Sequence, residues 1–347
     1  MQRHLLSLAA PGLALLLAAF QPGAAQAAEA GWRQITVPGG AREPAATVVA
    51  LYYPTSAAAR AVAMGPFTVN AAIQAAPDAT VKGLIVLSHG TAGSELGHSS
   101  LAEALARSGY LVAALRHPGD NWQDTSMRDG PGSSRYFVQR PAQVSHLIDA
   151  LLQDPLWKDR IASDSRGPRI GVLGHSAGGY TALALAGGQP DVARLAAHCS
   201  SQRAEDPIFC GLAQALPPAG PAGAAAAPAL PVTRDPRVRA VVAMAPLGAA
   251  FTAQSLAGIQ VPTLLYQAEA DRFLVPRFHG GWIAANMPQA QNVVVPKAWH
   301  FAFMDSPSMP LASPDGDIGA NPPGFDRAAL LQQLGRALPA FLDQAWQ

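Results

Sequence analysis

Gly174-His175-Ser176-Ala177-Gly178-Gly179 is the stretch of this sequence whose residue types and spacing point most directly to chemistry. It lies between a β-type apolar run, Arg169 to Leu173, and a helix-type run, Tyr180 to Ala186. That setting fits a sharp strand-to-helix turn that lifts a hydroxyl to the end of a strand. Glycines beside the serine let the helix pack close and relieve a strained backbone. A serine hydroxyl is a poor nucleophile near neutral pH, so a base must take its proton and a carboxylate should orient that base. The chemistry expected of such a set is acyl transfer through a covalent intermediate on Ser176.

The partners are sought downstream, in the order acid and then histidine. After Gly179 the histidines are His198, His279 and His300. His198 sits beside Cys199 and His279 begins a helix after Pro276, whereas His300 follows the β-type run Asn292 to Val295 in a loop that can reach back to Ser176. His300 is the expected base. Two carboxylates, Glu269 and Asp271, follow the run Pro262 to Tyr266. Asp271 lies in the part of the loop that must curve toward His300, so it is preferred as the orienting acid, while Asp120 and Asp305 read as loop-capping side chains. Two preorganised N–H donors must face the developing oxyanion. Ala177, next after the nucleophile, should supply one, and Thr91, in the loop His89-Gly90-Thr91-Ala92-Gly93 after the run Lys82 to Ser88, the other. No phosphate-loop pattern competes for that segment.

The elements that must position these groups follow from the pattern. Lys82 to Ser88, Tyr110 to Leu115, Arg169 to Leu173, Val238 to Ala245, Pro262 to Tyr266 and Asn292 to Val295 are apolar without alternation, as parallel strands buried on both faces require. Helical segments alternate with them. Ser100-Leu101-Ala102-Glu103 reads as a capping box opening a helix that ends at Gly109. Val144, Leu147, Ile148, Leu151 and Leu152 form one apolar stripe, and Asp326 can cap a last helix. The alternation predicts an α/β fold with a doubly wound, mostly parallel sheet and helices on both faces. Ala46 to Tyr53 reads as an antiparallel edge strand.

Composition sets the limits. The 347 residues are 49% hydrophobic and 14% charged, enough for a large core and far from a disordered chain. The net charge of +1, with no block of Lys and Arg, excludes an electrostatic footprint for nucleic acid. Arg3 and His4 lead into the apolar run Leu5 to Phe20 and then small-residue sites at Ala25-Gln26-Ala27 and Ala28-Glu29-Ala30. Residues 1–27 therefore read as a secretory signal peptide, leaving 28–347 as a single periplasmic or secreted domain without a membrane anchor. Cys199 and Cys210, the two cysteines of the chain, suggest one disulfide in an exported protein, with two reduced core thiols as the alternative. Their spacing fits neither a thiolate metal cluster nor Cys-based catalysis. Residues 199–235, including the uncharged Ala215 to Pro231, read as an insertion that is either a lid or a surface linker.

Ser-His-Gly-Thr-Ala-Gly at 88–93, Arg-His-Pro-Gly-Asp-Asn at 116–121, Gly-His-Ser-Ala-Gly-Gly-Tyr at 174–180, Asp271 with Pro276, and His300-Phe301-Ala302-Phe303 resemble the exported serine α/β-hydrolases called predicted dienelactone hydrolases. These are relatives of platelet-activating-factor acetylhydrolases and, more distantly, of cutinase-type polyesterases. The resemblance spans residues 45–345 and implies an α/β-hydrolase fold acting on a small-molecule ester without a cofactor. Ser176 departs from the Cys nucleophile of true dienelactone hydrolase. Trp299 replaces the small residue more usual before the histidine and is expected to narrow the acyl side of the pocket. His117 lies where a binding loop belongs, with a structural turn as the alternative reading. The rival functions are an exported peptidase or amidase of the prolyl-oligopeptidase type and a silent binding protein on the same scaffold. The first usually carries a β-propeller ahead of the hydrolase core, and the second should have lost a triad residue.

Overall fold

Six strands pair side by side in parallel and form one side of a ten-stranded sheet; five are buried on both faces as expected, whereas the sixth, Gln291–Val295, is the edge strand and is largely exposed. The computed structural model describes residues 28–40, 45–78, 80–127, 135–213, 230–232 and 234–347; the expected signal peptide and most of Ala215 to Pro231 lie outside them. In chain order the elements are β1 (Glu29–Val37), β2 (Thr47–Thr55), β3 (Arg60–Met64), β4 (Phe67–Ile73), β5 (Leu84–Ser88), α1 (Ser99–Arg107), β6 (Leu111–Arg116) and α2 (Arg135–Gln153). After the two-residue strands β7 (Ser163–Asp164) and β8 (Gly167–Pro168) come β9 (Ile170–His175), α3 (Ala177–Leu185), α4 (Val192–Ser201), α5 (Pro207–Leu212), β10 (Val238–Met244), α6 (Ala253–Ala257) and β11 (Thr263–Ala268). The chain closes with α7 (Gly280–Asn286), β12 (Gln291–Val295), the short β13 (Ala312–Ser313) and β14 (Gly316–Asp317), and α8 (Arg327–Ala345).

The sheet order is β12-β11-β10-β9-β5-β6-β2-β1-β4-β3. From β12 to β6 every pairing is parallel, while β2 is antiparallel to both β6 and β1. Strand alternation divides the core into two layers. Leu84 and Val86 of β5 join the cluster under α2 and α3, whereas Ile85 and Leu87 join the cluster under α1 and α8. Both clusters are apolar and buried, so the central strands are covered on both faces, as their unbroken apolar runs demand.

Two local expectations are corrected. Ala46 to Tyr53 is not an edge strand, because β1, β3 and β4 lie outside it in the sheet, which is why β2 is buried over nearly its whole length. The capping box at Ser100 does not form. His98 is the N-cap of α1 without a side-chain cap; Asp305 accepts from the Ser100 N–H and hydroxyl, and Glu103 accepts from the Asn70 N–H. Tertiary partners outcompeted the local motif. Asp326 does cap α8, accepting from the Ala329 N–H at 2.9 Å.

Cys199 on α4 and Cys210 on α5 form a disulfide. The segment between them is not the open polar loop its composition suggests. Leu195, Cys199, Phe209 and Cys210 are buried in the core, and Asp206, fully buried, accepts from His198 Nε2 at 2.8 Å and His279 Nε2 at 2.9 Å. The Gly248 N–H donates to His279 Nδ1, so the ring proton sits on Nε2 and points at the carboxylate. That nitrogen has no lone pair free for a metal ion, and the trio acts as a hydrogen-bonded latch between the helical pair and the loop after β11. Burial raises the Asp206 pKa, but the two imidazole hydrogen bonds outweigh it and hold it down at about 2.

Closing a loop of this length stabilises by about 3 kcal/mol in the chain-entropy account. Cys199→Ser should therefore lower the thermal midpoint. Differential scanning calorimetry of the variant beside the oxidised parent measures this, and an unchanged midpoint would refute it.

Candidate active site

The C-terminal ends of β5, β9, β11 and β12 all open on one rim of the sheet, where an open α/β sheet places its ligand site. Ser176 stands in the turn between β9 and α3 with φ 57° and ψ −117°, a conformation that L residues rarely adopt. The surrounding backbone enforces it. The Ser176 N–H donates to the Met244 carbonyl at 2.9 Å, and the Ser176 carbonyl accepts from Tyr180 and Leu247 N–H at 3.2 and 3.1 Å. The three glycines of the motif have steric causes. A Cβ on Gly174 would lie 2.0 Å from the Gly178 carbonyl oxygen, one on Gly178 would lie 1.8 Å from the Ser88 carbonyl oxygen, and one on Gly179 would lie 2.6 Å from the Pro246 Cβ. None could be accommodated without moving backbone.

His300, at the start of a short 3-10 turn after β12, brings Nε2 to 2.9 Å from Ser176 Oγ and Nδ1 to 2.7 Å from Asp271 Oδ2. The other carboxylate oxygen, Asp271 Oδ1, accepts from the Phe273 and Leu274 N–H groups at 2.9 and 2.8 Å. With both oxygens engaged, the carboxylate has one orientation. All three side chains are buried, Ser176 and Asp271 at 6% exposure and His300 at 1%. Phe273 stacks on the His300 ring at 4.8 Å and 13°. Glu269, the competing acid, points elsewhere: it accepts from the Lys297 N–H at 2.8 Å and so holds the loop that carries His300, in which Lys297 has φ 60°.

The loop after β5 packs against the serine, with an ideal Cβ on Gly90 falling 3.2 Å from Ser176 Cβ. Thr91 pairs its hydroxyl with Tyr136 Oη at 2.6 Å, and Ala177 is the first residue of α3. His117 is not at a binding surface. It is wholly buried, its Nδ1 paired with Gln143 Oε1 at 2.7 Å and its Nε2 with Ser88 Oγ at 2.8 Å, so it belongs to the support of the β5 end. Trp299 is half-buried beside His300, with the Arg272 guanidinium 4.2 Å over its ring.

The sequence alone assigns no role to His175 or Arg140, and it reads Asp120 as a loop cap without its ion pair. His175 donates from Nε2 to the His300 carbonyl at 2.9 Å, and its ring lies 4.9 Å from that of His300, tying the serine strand to the histidine loop. Asp120 and Arg140 form a fully buried ion pair. Arg140 had a visible signal, because it continues the core-facing stripe of Val144, Leu147 and Leu151 by one helical turn. A charge on that stripe needs a buried partner.

Residues 85–313 match the alpha/beta hydrolase family, and the chain belongs to it. Its fold is shared with a ferulic acid esterase from Streptomyces cinnamoneus, at 20% identity and a TM-score of 0.57, over 94% of this chain and 92% of that one. No curated protein matches the sequence.

Five of the six buried histidines among the described residues bear on acid stability. Burial, reinforced by Arg140, holds His89 and His117 well below the ordinary imidazole range; burial with His300 nearby does so for His175; burial lowers His98 to about 4 and also lowers His279. In the unfolded chain these rings take up protons near pH ~6.5, while the folded state refuses them. At these rings the unfolded state then binds more protons, so their contribution to stability falls as pH drops below that point. Urea melts from pH 7 to pH 5 should show a steep loss, and a flat profile would contradict the burial of neutral imidazoles.

Proposed function

We propose that the protein is an exported serine hydrolase that cleaves carboxylic esters through an acyl-enzyme on Ser176. The observation that carries the reading is the unbroken hydrogen-bonded line Ser176 Oγ, His300 Nε2, His300 Nδ1, Asp271 Oδ2, at 2.9 and 2.7 Å. Ser176 attacks the ester carbonyl as His300 takes its proton. The collapse of the tetrahedral intermediate releases the alcohol with that proton, and water then hydrolyses the acyl-enzyme by the same route in reverse. Asp271 keeps the imidazole in the tautomer whose Nε2 lone pair faces the serine. The N–H groups of Thr91 and Ala177 receive the oxyanion. Similarity to a protein titled as an esterase supports an ester as the substrate, and the resemblance to predicted dienelactone and platelet-activating-factor acetylhydrolases supports a small one. Trp299, held under Arg272, shapes the acyl side. The disulfide supports an oxidising compartment, with residues 1–27 as the signal that directs the chain there. Residues 199–235 are proposed as a tethered insertion of the single domain 28–347, anchored at Asp206.

Ser176→Ala and His300→Ala should each lower kcat on p-nitrophenyl acetate by roughly 10³-fold or more. The two acids are separable in the same assay. Asp271→Asn should cost far more than Glu269→Gln, whose lost contact only loosens the histidine loop, and the reverse ranking would move the orienting role to Glu269.

A further inference from the structure

Asp120 and Arg140 sit beneath the site, each with 0% exposure, and neither faces it. A buried ion pair is weak evidence of stability, since the cost of desolvating two charges can match their attraction. What distinguishes this pair is where its hydrogen bonds end. Asp120 Oδ1 accepts from the Ala92 N–H at 3.0 Å, while Arg140 Nη1 donates to Asp120 Oδ2 at 2.5 Å. Arg140 Nη2 donates to the His89 carbonyl and, at 3.2 Å, to Ser88 Oγ. The peptide groups joining residues 89 to 90 and 91 to 92 are thereby pinned, one on each side of the peptide that presents the Thr91 N–H. Between the pins, the Gly93 N–H donates to the Gly90 carbonyl at 3.1 Å, and Ala92 takes φ 56°.

The same guanidinium reaches the other donor. Arg140 Nε donates to Thr181 Oγ1 at 3.2 Å, and that hydroxyl donates to the Ala177 carbonyl at 2.9 Å. The Arg140 guanidinium also lies 5.6 Å over the ring of Tyr136, whose hydroxyl meets Thr91 Oγ1. One buried cation therefore ties the loop after β5 to the start of α3. Fixed dipoles stabilise a developing charge only if they are held before the reaction begins.

We propose that Asp120 and Arg140 are positioning residues that hold the Thr91 and Ala177 N–H groups in register for the oxyanion, an assignment that rests on the reading of Ser176 as the nucleophile. It accounts for two charges carried into a buried core.

Asp120→Asn keeps the side chain's size but replaces one acceptor oxygen with an amide that faces the guanidinium. Its kcat on p-nitrophenyl acetate should fall about 10- to 100-fold with KM changed less than about twofold. A purely structural role would not couple the loss to the transition state. The affinity of phenylboronic acid, which becomes tetrahedral and anionic on the serine, should fall in proportion to kcat/KM. If the single variant fails to fold, Asp120→Leu/Arg140→Met removes both charges at once and should fold with the same loss of kcat and of boronate affinity. Wild-type kcat and boronate affinity in a folded variant, or a loss confined to KM, would overturn the assignment. Run in parallel, Ser176→Ala separates the two claims: turnover retained there removes the oxyanion site itself, whereas an inactive Ser176→Ala beside a fully active Asp120→Asn removes the positioning role alone.

Discussion

The backbone of Ser176 is held where a residue with a side chain is expected to be strained, at a cost of order 1–3 kcal/mol, and the rest of the site is arranged around that point. The strain persists because β9, β10 and α3 converge on one residue: Met244 accepts its N–H while Tyr180 and Leu247 donate to its carbonyl. The glycines at 174, 178 and 179 follow from the same constraint, each opposite backbone or a proline less than 3 Å from where a Cβ would stand. The start of α3 lies this close to β5, and the loop at residues 89–93 packs against Ser176. Geometry of this kind belongs to the sheet, which is rigid because both its faces are packed.

The strand ends deliver the other groups in pairs. β11 and β12 run parallel, and their loops continue the pairing: the Glu269 N–H donates to the Val295 carbonyl and the Ala270 N–H to the Ala298 carbonyl. Asp271 and His300 are thus brought together by backbone before their side chains meet. His175 closes the third side by bonding the His300 carbonyl. Among the polar groups buried around the site, Asp120 and Arg140 bond the backbone of residues 92 and 89, and His175 bonds that of residue 300. Farther off, Asp206 fastens the disulfide-bonded helices to the loop after β11 through His279.

Five of the six parallel strands were legible in the sequence because strands buried on both faces leave an uninterrupted apolar run; β12 showed the same run of valines although it lies exposed at the edge, and Ser176 was legible because glycine spacing reports a steric constraint. Asp271 and His300 could be ranked by their place after strands. Strand β1 and the hairpin of β3 and β4 were missed, since half-polar strands carry a weak signal. The capping box at Ser100 failed because Asp305, 205 residues away, supplies a better acceptor than Glu103. His117 was placed in a binding loop or a structural turn, and nothing local could decide between them, because Gln143 and Ser88, which enclose it, are distant in the sequence. Buried polar networks join residues far apart in the chain, and short-range patterns do not contain them.

The central claim is that one serine carries the acyl group. Treating the purified protein with a fluorophosphonate and mapping the adduct by tandem mass spectrometry of its peptides tests it directly. The account predicts a single stoichiometric adduct on Ser176, formed at a rate that collapses in His300→Ala. An adduct on another residue, or full ester turnover after the reagent has left Ser176 unmodified, would contradict it.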